Sequence, residues 1–245
     1  MEQISHKGSI DSRPAATRLA AALIVCNAVS LCGIYFGVGR YPPFWSEVGA
    51  WVYVCQLVAA LLVYSGLVVW VSEIRGEWWG AVLRIAGWFG VAAAAVDLTG
   101  LALEDGLLLR VRGPAMQIAT MLSLFTLWGV AGWRGARALN SIRAGLVAAV
   151  SSACICMIVA VTAALIVQLF FVRPSIADVA TWGEFKRSGW SNPRAFAIAN
   201  TLDSGFTHFV IAPVVGCITG GIGAVLAGLQ RSERYGTTLD AKRRS

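Results

Sequence analysis

AGLVAAVSSACICMIVAVTAALIVQLFFV, residues 144–172, runs for 29 residues without a charged side chain. A helix needs about 20 apolar residues to cross the hydrocarbon of a bilayer. In lipid a lone segment satisfies its own N–H and C=O groups only as a helix, so this run reads as a membrane-spanning helix. Five more hydrophobic runs lie at 19–38, 48–71, 79–103, 114–133 and 206–230, and the short stretches between them hold nearly all the charge. The expected fold is all-α: a polytopic membrane bundle of six transmembrane helices, one domain over residues 1–245. Polar tails are expected at 1–16 and 232–245, with a longer connector at 173–200.

Composition agrees. The chain is 57% hydrophobic and 13% charged, with a mean hydropathy of +0.68, more apolar surface than a soluble domain can hide. A formal charge of +7 would suit nucleic acid, but the basic residues are spread over loop ends, so no nucleic-acid partner is expected. Arg outnumbers Lys, which appears only as Lys7, Lys186 and Lys242. With abundant Ala, Val and Gly, that bias reads as GC-rich coding.

Lys and Arg set the orientation. With the N-terminus cytoplasmic, the inner side carries Lys7, Arg13, Arg18, Arg75, Arg84, Arg134, Arg137, Arg143, Arg231, Arg234, Lys242, Arg243 and Arg244, thirteen of the 20. The outer side carries Arg40, Arg110, Arg112, Arg173, Lys186, Arg187 and Arg194, which is seven. Both ends are therefore expected inside, in a bacterial cytoplasmic membrane. Trp45, Trp78, Trp79, Trp133, Trp182 and Trp190 flank the spans as an aromatic belt. The first run is long and lacks a small-x-small site, unlike a cleaved signal peptide. Cys26, Cys32, Cys55, Cys154, Cys156 and Cys217 all fall inside hydrophobic runs, as small apolar packers rather than a disulfide framework.

Packing signals concentrate in the last two spans. Small residues recur every four positions at Ala144, Ala148, Ser152, Cys156, Ala160 and Ala164, and again at Gly216, Gly220, Ala224 and Gly228. Lipid removes most of the hydrophobic drive for association, so close backbone approach through small residues takes its place. These two spans are expected to touch along much of their length. A step of four winds by ~40° per repeat, which favours a right-handed crossing near −40°. Between them, Ser175 and Asp178 have capping-box spacing, and Trp182, Phe185 and Trp190 stand among charges, as in an outer interfacial helix with its aromatics in the headgroups. Ser191-Asn192-Pro193 is a helix start. Pro213 removes one backbone hydrogen bond and should kink the last helix near the Phe209 carbonyl.

One polar constellation stands out. Asn200, Ser204, Thr207 and His208 share a helix face, with Asp203 beside it, and Asp97 lies at comparable depth in the third span. Gln56, Gln117, Thr120 and Gln168 are further polar residues of the outer half. Asp97, Gln117, Asn200, Asp203, Thr207 and His208 form the candidate pocket, since intramembrane ionisable groups usually face the protein interior and mark a site. The competing reading gives Asp203 an interfacial turn to solvate, His208 a backbone carbonyl, and Asp97 a neighbouring span to hold. Asp-x4-His is not a metal signature, and no pattern specifies a cofactor.

Three function classes follow: a subunit or scaffold of a larger membrane complex with no chemistry of its own, a transport component with an outward-facing polar pocket, and an integral-membrane enzyme on a lipid or isoprenoid substrate. The first asks least of these residues. Its partners would be membrane lipids and other membrane subunits, or a second copy of the chain. An apolar lipid-facing groove would favour the enzyme, a polar vestibule the transporter, and an exposed flank the subunit.

Overall fold

A computed structural model describes residues 13–73, 77–104, 114–171 and 176–244. Expectations resting on Lys7, Arg75, Arg110, Arg112, Arg173 and Ser175, and on most of the first tail, lie outside them, as does the side chain of Asp178. The helices are α1 (Arg13–Gly39), α2 (Pro42–Trp45), α3 (Ala50–Glu73), α4 (Glu77–Glu104), α5 (Pro114–Leu139), α6 (Ile142–Ile166), α7 (Ile176–Thr181), α8 (Gly183–Ser188) and α9 (Pro193–Arg244), and a π-helical turn, Val167–Phe171, prolongs α6. Among the described residues there is no strand. Six helices (α1, α3, α4, α5, α6 and α9) are long and apolar enough to cross a membrane, so the chain is an integral membrane protein. The six long helices alternate in direction, so the start of α1 and the end of α9 lie on one side of the bundle, here the terminal side; α2, α7 and α8 belong to the distal side.

The bundle has a centre. Helix α6 packs on α1, α4, α5 and α9, and the outer helices meet in the order α1, α4, α5, α9, α3 and back to α1. Half of the α6 span is buried, against 22–33% of the other five, so α6 is the axle of a ring of five. Its sequence explains this position. It is the most apolar span, and it carries small residues on more than one face, so several helices approach it at once. It starts sharply: Asn140, at φ 55°, ends α5, and the Ser141 hydroxyl caps α6 by accepting the Ala144 N–H at 3.4 Å.

The last two spans do pack, but on a different column of α6 from the one expected. The α9 stripe meets Gly145, Ala149 and Ala153. A Cβ on Gly216 would come within 2.8 Å of the Ala153 Cβ, one on Gly220 would overlap Ala149, and one on Gly145 would lie 2.8 Å from the Ala224 Cβ. Both helices advance by four, antiparallel, so the columns match. Of the expected α6 stripe, Ala144 and Ala148 serve α5, where Gly135 faces them, and Ser152 presents its carbonyl to Gly90 of α4. Gly228 has nothing within 4 Å of where its side chain would be. Helix α5 adds a row the sequence reading passed over, Gly129, Gly132 and Gly135, wedged against Gly223, Gly220 and Gly145. Three backbones thus converge on the terminal half of the bundle.

Further differences concern the edges. The expected tail at 232–245 continues α9 as helix to Arg244. The connector forms two short helices rather than one. Trp182, Phe185 and Trp190 gather round Phe196 at 6.5, 5.5 and 6.0 Å between ring centroids, so they pack on the first turn of α9. Trp45 and Trp78 are exposed, whereas Trp79 is buried and donates its indole N–H to the Val71 carbonyl at 3.0 Å. All six cysteines are free; Cys156 is fully buried as a packer, while Cys32, Cys55 and Cys217 lie on the outside.

Candidate functional site

Of the expected pocket residues, the structure brings together only those on α9. Asn200, Ser204, Thr207 and His208 do share a face, and all four are exposed. Asp203 is half-buried beside them. His208 Nδ1 lies 2.6 Å from the Ser204 carbonyl oxygen, so Nδ1–H donates to it and Nε2 is left as an outward acceptor. Asp97 is half-buried on α4, within electrostatic reach of Cys156 on α6, and α4 does not pack as a pair with α9. Gln117 is exposed on α5. The groove between α1 and α4 and the one between α4 and α5 contain none of the six. No group of three His, Cys, Asp or Glu side chains there has metal-holding geometry.

The buried polar chemistry lies elsewhere. Asn27 of α1, 1% exposed, donates its amide to Ser65 of α3 at 2.9 Å, while its Oδ1 has no partner. One turn on, the Ser30 hydroxyl meets Thr162 of α6 at 2.9 Å, and Thr162 also reaches the Ile158 carbonyl at 2.6 Å. These contacts tie α1 to α3 and to α6 in the middle of the bundle, where a polar group without a partner is costly.

Tyr64 answers the proline. Pro213 has no N–H for the Phe209 carbonyl four residues earlier, and the Tyr64 hydroxyl of α3 donates to that oxygen at 2.6 Å. The two rings meet at 4.5 Å between centroids.

On the distal side, a latch joins the α2–α3 link to α9. Glu47, 9% exposed, accepts the Ser191 hydroxyl at 2.8 Å, the Ser191 N–H at 3.1 Å and the Asn192 N–H at 2.7 Å. Burial alone would raise its carboxyl, but these donors outweigh burial and hold it below the ordinary carboxylate value. Asn192 caps α9: its Oδ1 accepts the N–H groups of Arg194 and Ala195, each at 3.0 Å, and the Tyr41 hydroxyl at 3.1 Å. The Arg194 guanidinium stacks 4.7 Å above the Tyr41 ring. The Ser-Asn-Pro start was legible; Glu47 was not, because one acidic residue in a loop looks like any solvated charge.

Comparison with protein-family models, with curated proteins and with solved structures finds no match to this chain.

Proposed function

We propose that this protein is a non-catalytic subunit of a larger membrane complex, with both ends cytoplasmic, and that the distal half of α9 is where a partner helix docks. The observation that carries the proposal is the exposure of Ser204, Thr207 and His208 at membrane depth. A Cβ on Gly205 would sit 3.4 Å from Leu57, which stands seven residues below the distal end of α3 at Ala50, or about 10 Å at ~1.5 Å per residue. Polar side chains at that depth are unfavourable against acyl chains and favourable against a helix that offers hydrogen bonds. The His208 Nε2 is an acceptor aimed outward, and Asn200 extends the same row toward the headgroups. Below it the face continues as Ile211, Val214, Ile218 and Ile222, all exposed and apolar, as one side of a packed helix pair requires. The thirteen-to-seven distribution of Lys and Arg supports the cytoplasmic placement of the ends.

A photo-crosslinking side chain at Thr207, introduced in the native membrane, tests this. It should give a protein adduct of one defined mass, and the same probe at Val25, exposed on α1 across the bundle, should give none. Lipid adducts alone from Thr207, or equal adducts from both positions, would remove the docking face and with it the subunit reading.

A further inference from the structure

We infer that the groove between α1 and α4 on the terminal side is a binding site for an anionic phospholipid, with one acyl chain along the groove and the phosphodiester on Arg84. The groove is open to the lipid phase and has a volume of ≈ 210 Å³. Its lining includes Leu19 of α1 and Leu83, Gly87, Trp88 and Val91 of α4, and its one charged member is Arg84. Gly80, Arg84, Gly87 and Val91 follow one another on a single face of α4 at steps of four, three and four. Both glycines line the groove, and at Gly87 a Cβ would already touch Leu19 of α1 at 3.4 Å.

Two observations select the occupant. An apolar trough facing acyl chains is filled by an acyl chain, because a polar solute would leave its hydrogen bonds unmade there. Arg84 is exposed and makes no hydrogen bond or ion pair with any described residue. It lies six residues inside the span Trp78–Leu103, about 9 Å at ~1.5 Å per residue, so its long side chain reaches back to headgroup level. An unpaired guanidinium there is matched by a phosphate oxygen pair, the anion its planar fork binds best. Basic pockets between spanning helices select anionic headgroups for the same reason.

The full chain, reconstituted with equal amounts of phosphatidylglycerol and phosphatidylcholine and analysed by native mass spectrometry, should retain phosphatidylglycerol in preference. Arg84→Gln should lower that preference about fivefold, and Arg84→Lys should keep part of it. Arg134→Gln, an exposed arginine on α5, should leave it intact. Millimolar inorganic phosphate should not displace the lipid, since the acyl chain supplies much of the binding. No preference in the wild type, an unchanged preference in Arg84→Gln, an equal loss in Arg134→Gln, or displacement by phosphate would each overturn the assignment. None of these readouts depends on the α9 docking face.

Discussion

Tyr64→Phe removes one oxygen atom and keeps the ring packed on Phe209, so it isolates the hydroxyl's bond to the carbonyl that Pro213 leaves without a helical donor. That bond is short, 2.6 Å, and buried. Its loss strands a backbone acceptor away from water, which costs about 1–3 kcal/mol. Interhelical bonds in membranes average only ~0.6 kcal/mol with a maximum near 1.7, because the unfolded chain in lipid also finds partners, so about 1.5 kcal/mol is expected. The nearby Cys154 thiol, 4.0 Å from the hydroxyl, adds little. The decisive comparison is a double-mutant cycle. Pro213→Ala restores an N–H in reach of the Phe209 oxygen, so Tyr64→Phe on that background should cost under about 0.5 kcal/mol, a coupling of roughly 1 kcal/mol. Reversible unfolding in mixed micelles, followed by circular dichroism, measures all four corners. Equal costs in both backgrounds would show that Tyr64 acts through general packing and that the carbonyl argument is wrong.

The glycines on α9 should separate cleanly: Gly220→Leu must displace Ala149 and should cost well over about 1 kcal/mol, whereas Gly228→Leu meets open space and should leave the melting temperature unchanged; equal shifts would contradict the packing described. At the latch, Glu47→Ala should cost about 2 kcal/mol by leaving the Ser191 and Asn192 donors without the carboxylate. Because the folded carboxyl is held below its ordinary value of 4.5, the latch is at full strength above that value and weakens as pH falls through the lower folded value. Melting temperature should therefore drop below about pH 4 in the wild type and stay flatter in Glu47→Gln; identical profiles would refute the assignment. Asn27→Leu removes an amide whose oxygen has no partner, and Ser65 keeps its own bond to the Leu61 carbonyl at 2.8 Å, so thermal stability should change by less than about 1 kcal/mol. A collapse of the fold in that variant would show that the Asn27–Ser65 contact is a principal tie between α1 and α3.

Chain order and hydropathy made the six helices legible, and proline chemistry marked the Phe209 carbonyl as an acceptor in need of a donor. What fills it was hidden, because Tyr64 lies 145 residues away and only the packing of α3 on α9 brings it there. The small-residue stripe of α9 was legible for the same local reason. Its partner column on α6 was not, since 144/148/152 and 145/149/153 are both built of small residues and either satisfies a period of four. Small residues on two faces of one helix were the available sign that α6 sits at the centre. The polar face of α9 also had a legible period, but periodicity is the same whether a face looks into a cavity or out toward a partner. Asn27, Ser30 and Thr162 carry no charge and were lost among the apolar residues around them.

The position of α6 bears on how the protein is made. Four of the five helices that surround it leave the ribosome earlier, and the last follows it. Until the fifth span arrives, α1–α3 and α4–α5 are two hairpins with facing surfaces that have nothing between them. The two-residue link from α5 to α6 delivers that helix directly into the gap, and α9 then closes the circle. A nascent chain arrested after Leu139 is therefore expected to behave as two separable pairs rather than as a smaller bundle, and the commitment to fold falls late in synthesis.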